Sequence, residues 1–130
     1  CSNEECFNEK LKNCKAVNYL KQANNNLYLY SISSSFENYF GDECTIKISL
    51  EKVAPGSDRD VQDLLEGKSM ACKFDKDLLE RADLPDIDNI LSYCSGGLKE
   101  GIYELIIKRM YALVIGNLDE IKETINKVLG

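Results

Sequence analysis

The chain contains no histidine and no tryptophan, and only two prolines and two methionines in 130 residues. Without histidine, a Ser-His-Asp triad, a Cys-His pair and any imidazole general base are excluded. A zinc site would need cysteines or carboxylates alone. The six cysteines stand at 1, 6, 14, 44, 72 and 94, so there is no Cys-x-x-Cys pair for zinc or for thioredoxin-like redox chemistry. Neither a Gly-x-Gly-x-x-Gly fingerprint nor a Walker loop is present. Positive charge is also scarce: 16 basic against 22 acidic residues leave a net charge of -6, which disfavours nucleic acid and anionic membrane as partners. Long apolar runs are missing too. The richest, Leu105 to Ile115, is broken by Lys108 and Arg109, each costing about 2.5–3.5 kcal/mol at a membrane helix centre. It is also shorter than the roughly 20 residues a span needs, so no transmembrane helix is expected.

What the chain does have is scattered cysteine. That spacing suits disulfides formed in an oxidising compartment, hyperthermophile cytosols being the known exception. Each bridge adds about 2–4 kcal/mol. If Cys1 takes part, three bridges form and fifteen connectivities are open. Alternatively, Cys1 is the lipidated first residue of a processed lipoprotein, with Ser2 a compatible neighbour; five cysteines then make two bridges and leave one thiol. A third reading has Cys1 simply as the point where the chain was cut. At this length one domain, 1–130, is expected.

Cys6, Phe7, Lys10, Leu11 and Cys14 recur by threes and fours in a stretch with acidic residues first, predicting a short helix over 4–13. On one helix Cys6 and Cys14 lie about 12 Å apart, too far to bridge each other, so each is expected to staple the helix to something distant. Lys15 to Lys21 alternates as a strand, with Val17, Tyr19 and Lys21 on one face, and 23–26 is a turn. Leu27 to Tyr39 is rich in β-formers and predicts one long strand. Cys44, Ile46, Ile48 and Leu50 alternate with Thr45, Lys47, Ser49 and Glu51, which predicts a sheet wet on one face. Ser57 is the expected N-cap of a helix ended by Gly67. Lys68 to Phe74 should return as a strand beside the one holding Cys44. A turn of helix is expected over 75–82, a loop at 83–88 around Pro85, and a helical turn capped by Asp88. Cys94 to Gly97 then reads as a hinge, with Cys94 placed to pin the start of the last helix. Gly96-Gly97 opening a helix offers an anion site in principle; a hinge is the preferred reading.

That last helix spans Leu98 to Val128. Leu98, Ile102, Leu105, Ile106, Met110, Leu113, Val114, Leu118, Ile121, Ile125 and Val128 form one face, and Tyr103, Ile107, Tyr111 and Ile115 a second stripe. Apolar over most of its circumference, it is expected to be buried on more than one side, with a kink or break at Gly116, where glycine costs about 1 kcal/mol against alanine. The fold class that results is α+β: an antiparallel sheet of three or four strands packed against C-terminal helices, stapled by disulfides.

Asp58, Asp60 and Asp63 lack the glycine and the final glutamate of a calcium loop, and their place in a helix's first turn explains them. No metal or cofactor is therefore expected. The segments Glu-Cys-Phe and Lys-Asn-Cys (12–14), Gly-Lys-Ser-Met-Ala-Cys (67–72) and Tyr-Cys-Ser-Gly-Gly-Leu-Lys-Glu (93–100) resemble small cysteine-containing domains of predicted secreted or lipid-anchored archaeal proteins. The resemblance implies compartment and fold, not an activity. Two functions compete. The leading one is a non-enzymatic extracellular or cell-surface domain for binding or self-assembly, in which Tyr103, Ile107, Tyr111 and Ile115 face a protein partner or a second copy. The other is a small extracellular enzyme or thiol-redox protein, using Asp75 with Asp77, Asp86 with Asp88, or a free Cys14 beside Lys10, Lys12 and Lys15. Thiol counting on the denatured, unreduced protein should find at most one free sulfhydryl; several would contradict the disulfide reading.

Overall fold

A computed structural model describes residues 1–81 and 90–129, with backbone alone at 80–81, 115–125 and 127–129. The chain runs α1 (Glu4–Lys12), β1 (Val17–Ala23), β2 (Asn26–Ile32), α2 (Phe36–Phe40), β3 (Glu43–Lys52), α3 (Arg59–Leu65), β4 (Ser69–Asp75), α4 (Lys76–Arg81), a 3-10 turn (Leu91–Tyr93), β5 (Cys94–Ser95) and α5 (Gly97–Leu129). The expected α+β class is what forms. Its strands make an antiparallel meander in the order β1-β2-β3-β4-β5, five rather than three or four. The extra one is the two-residue β5, in the stretch where the sequence predicts a hinge.

Alternation decides β3. Cys44, Ile46, Ile48 and Leu50 are buried while Lys47 and Glu51 are exposed, and β4 lies beside it with Ile46 opposite Cys72. The β1–β2 hairpin turns through Asn24 and Asn25, both at positive φ, 53° and 67°. This is the left-handed pair a tight two-residue turn needs and asparagine tolerates.

The long strand expected over 27–39 ends at Ile32 instead. Three consecutive serines follow, and Ser35 caps α2 by accepting a hydrogen bond from the Asn38 N–H at 3.1 Å. Asn38 is 3 % exposed; its amide donates to the Ser33 carbonyl (3.0 Å) and accepts from the Thr45 N–H (3.0 Å). This side chain ties α2 to the start of β3, which no local propensity reveals. Ser57 also departs from expectation: its hydroxyl donates to the Ala54 carbonyl at 2.6 Å, and Asp58 occupies the N-cap of α3. The expected loop at 83–88 and the Asp88 cap lie outside the described residues.

The core lies on one face of the sheet. Tyr19, Tyr30, Ile32, the four inward residues of β3, Met70, Cys72 and Phe74 form a single buried cluster with Phe7 and Leu11 of α1, Leu79 of α4, and Ile90, Leu91 and Leu98. The cover therefore comes mainly from α1, α4 and the 3-10 turn. Among the described side chains, only the first turns of α5 contribute to it, which corrects over Tyr103–Val114 the expectation of a buried C-terminal helix.

Removing the Asn38 amide would leave the Thr45 N–H and Ser33 carbonyl without that partner at a buried site. Asn38→Ala is expected to lower stability by about 1–3 kcal/mol, read as a lower urea midpoint; an unchanged midpoint would contradict the assignment.

Candidate functional site

All six cysteines pair: Cys1 with Cys6, Cys14 with Cys44, and Cys72 with Cys94. Cys6 and Cys14 do not bridge each other, as the helix rise requires. Cys14 reaches a distant partner across 30 residues, whereas Cys6 closes a local loop of five, against the expectation for both. A lipid thioether at Cys1 would take the sulfur that this bridge uses. Cys14 also solves a backbone problem. The Cys14 N–H donates to the Leu11 carbonyl (3.0 Å) and the Lys15 N–H to the Lys10 carbonyl (2.9 Å), closing α1 in a Schellman pattern that puts Cys14 at φ +49°. Glycine is usual there; the bridge to β3 holds a cysteine in its place. Cys14, the cysteine flanked by Lys10, Lys12 and Lys15, is thus bonded, and no cysteine is free.

The start of α5 is fixed at several points. Cys72 and Cys94 face each other across β4 and β5, and Lys99 Nζ donates to the Cys94 carbonyl at 2.9 Å. Gly96, at φ +131°, packs so closely that an added Cβ would lie 2.9 Å from the Ser69 carbonyl oxygen. The expected hinge is therefore a tight crossing. At Gly101 a side chain would run into the Leu64 carbonyl of α3, so the two helices meet backbone to backbone there.

Beyond that crossing the cover ends. α3 has seven residues, about 10 Å at 1.5 Å per residue, whereas α5 has 33, about 50 Å. Ile102 and Leu105 are half-buried. Then Ile107 is 65 %, Tyr111 67 % and Leu113 69 % exposed, with Tyr103, Ile106, Met110 and Val114 exposed as well. The prediction of a helix covered on more than one side fails over these residues: from Ile106 to Val114 the apolar side chains are open to solvent. Of the predicted interface stripe, Tyr103, Ile107 and Tyr111 share this open surface; the Ile115 side chain lies outside the described residues. The expected break at Gly116 is absent, since α5 runs without interruption from Gly97 to Leu129.

A second aromatic cluster, hidden by the single-strand reading, sits on α2. Phe36, Tyr39 and Phe40 are all exposed, with ring centroids 4.6 Å apart for Phe36–Phe40 and 4.7 Å for Tyr39–Phe40. They border a depression of about 550 Å³ shared with Ser33 to Ser35 and Asn13 to Ala16. The signal that marks it is the Phe-x-x-Tyr-Phe spacing after Ser35, which is helical rather than alternating. Asp75 and Asp77 are exposed beside Glu43, Lys73 and Tyr93 around an open depression of about 770 Å³; Asp86 and Asp88 lie outside the described residues. Among the described residues, no three carboxylates or cysteines gather as a metal site, and no helix is long and apolar enough to cross a membrane.

Comparison with protein-family models, with curated proteins and with solved structures returned no match.

Loop-closure entropy ranks the bridges by span, 30, 22 and 5 residues. Replacing Cys72 and Cys94 by alanine is expected to cost about 3 kcal/mol, against about 2 kcal/mol for Cys1 and Cys6. Chemical denaturation of the two double variants measures both losses, and a larger loss for the Cys1–Cys6 pair would contradict the ranking.

Proposed function

We propose that this chain is a non-enzymatic extracellular or cell-surface domain whose work is structural: it associates with copies of itself through α5. The observation that carries the reading is the open apolar surface from Tyr103 to Val114. Leaving such side chains in water forgoes about 1.5–3 kcal/mol for each large aliphatic group, and contiguous exposure on this scale marks an interaction surface. Three disulfides fit an oxidising location outside the cytoplasm. A lipid anchor on Cys1 is the membrane-tethered form of the same proposal; it would release Cys6 and give one free thiol per chain.

Light scattering on the oxidised protein tests this reading. The expected result is a mass that rises above 14.7 kDa as concentration increases. A strict monomer at high concentration would overturn it.

A further inference from the structure

Within α5 the apolar residues follow a strict alternation of four and three: Ile107, Tyr111, Val114, Leu118, Ile121, Ile125 and Val128. That is the a/d seam of a coiled coil sustained over three heptads. Ile107, Val114, Ile121 and Val128 take the d positions; Tyr111, Leu118 and Ile125 take a. Gly116 falls with Arg109 and Glu123 at f, the outer side, where no knob is required. The three described seam residues, Ile107, Tyr111 and Val114, are all exposed in the monomer.

We propose that α5 packs against the α5 helices of further copies in a parallel, left-handed coiled coil of more than two chains. This deepens the self-assembly reading and rests on it. A second copy is the favoured occupant because the face has period 3.5. A helix seam demands that spacing, whereas a membrane surface asks only for an apolar arc with a basic rim. The positions around the seam carry Lys108, Arg109, Lys122 and Lys127 beside Asp119, Glu120 and Glu123, a rim of mixed sign in place of a basic one. Residues 107–128 form a seam roughly 33 Å long, which buries on the order of 1,000 Å² between two helices, the lower bound for a specific interface.

Two features set the number of chains above two. Every d position is β-branched, a choice that shifts parallel coils toward three or four strands. The apolar surface also extends past the seam to Tyr103 and Met110 at g and to Ile106 and Leu113 at c, all exposed. A single neighbour would leave that flank in water; a third or fourth helix covers it. Charge favours the parallel direction. The e positions hold Lys108 and Lys122, and the g positions they would face hold Tyr103, Met110, Asn117 and Thr124, so no cations meet. Antiparallel packing sets e against e and places those lysines against each other or against apolar Ile115 and Leu129.

Sedimentation equilibrium on the oxidised full chain tests the proposal, comparing wild type with Val114→Glu, Ile107→Asn and Ala112→Glu. Ala112 is exposed on the side away from the seam. Wild type and Ala112→Glu are expected at three to four times the 14.7 kDa chain mass. Both seam variants should bind at least tenfold more weakly while keeping the thermal unfolding of the disulfide-bonded body. A wild-type dimer, seam variants that assemble as wild type does, or equal disruption by Ala112→Glu would each overturn the coil while leaving self-association standing. A wild type monomeric at all concentrations would overturn self-association as well, and its flotation with lipid vesicles would assign the face to a membrane.

Discussion

The Cys72–Cys94 bridge between β4 and β5 is the constraint on which the remaining architecture depends. It sets the point at which the chain leaves the sheet, and the crossings at Gly96 and Gly101 then set the direction of α5. With both glycines packed against backbone, only the first turns of α5, among the described residues, reach the sheet's apolar face. That face is filled instead by Phe7, Leu11, Leu79, Ile90 and Leu91, from elements that precede it in the chain. Among the described residues the last helix adds Leu98 and, half-buried, Ile102 to that core.

A body built before the long helix has roughly a hundred residues in which to form a core, a size at which the buried fraction of the surface is modest. Two disulfides reinforce that core from within it, with Cys44 and Cys72 fully buried. Cys14–Cys44 closes the end of α1 onto β3, and Cys72–Cys94 secures an edge strand of two residues that its own hydrogen bonds would hold poorly. Asn38 plays a comparable part beside the central strand β3, where its amide substitutes for a strand partner along Thr45. One consequence is the presentation of Phe36, Tyr39 and Phe40 to solvent on a fixed support.

Features governed by local period were legible in the sequence. The alternation at Cys44 to Leu50, the asparagine turn, the return of the Cys72 strand and the anchoring part of Cys94 all follow from short-range pattern, and the structure places them accordingly. Features governed by a distant partner were not. Ser33 to Ser35 sit among β-formers, and the buried Asn38 amide that ties the following helix to Thr45 is not announced by them. The three- and four-residue spacing in α5 announces a face that demands cover, yet the same pattern serves a core or an interface between chains. Gly116 does not interrupt the helix, because a penalty of about 1 kcal/mol is small against the helix that surrounds it. Cys6 could be excluded as the partner of Cys14 by helix rise, but nothing local distinguished Cys1 among the remaining choices.

The central claim is that the exposed face of α5 is complete only between molecules. Amide hydrogen exchange at dilute and concentrated protein measures this directly. Protection over Ile106–Val114 should rise with concentration while the amides of Ile46, Ile48 and Leu50 in β3 stay unchanged. Equal protection of the helix at every concentration would contradict the account.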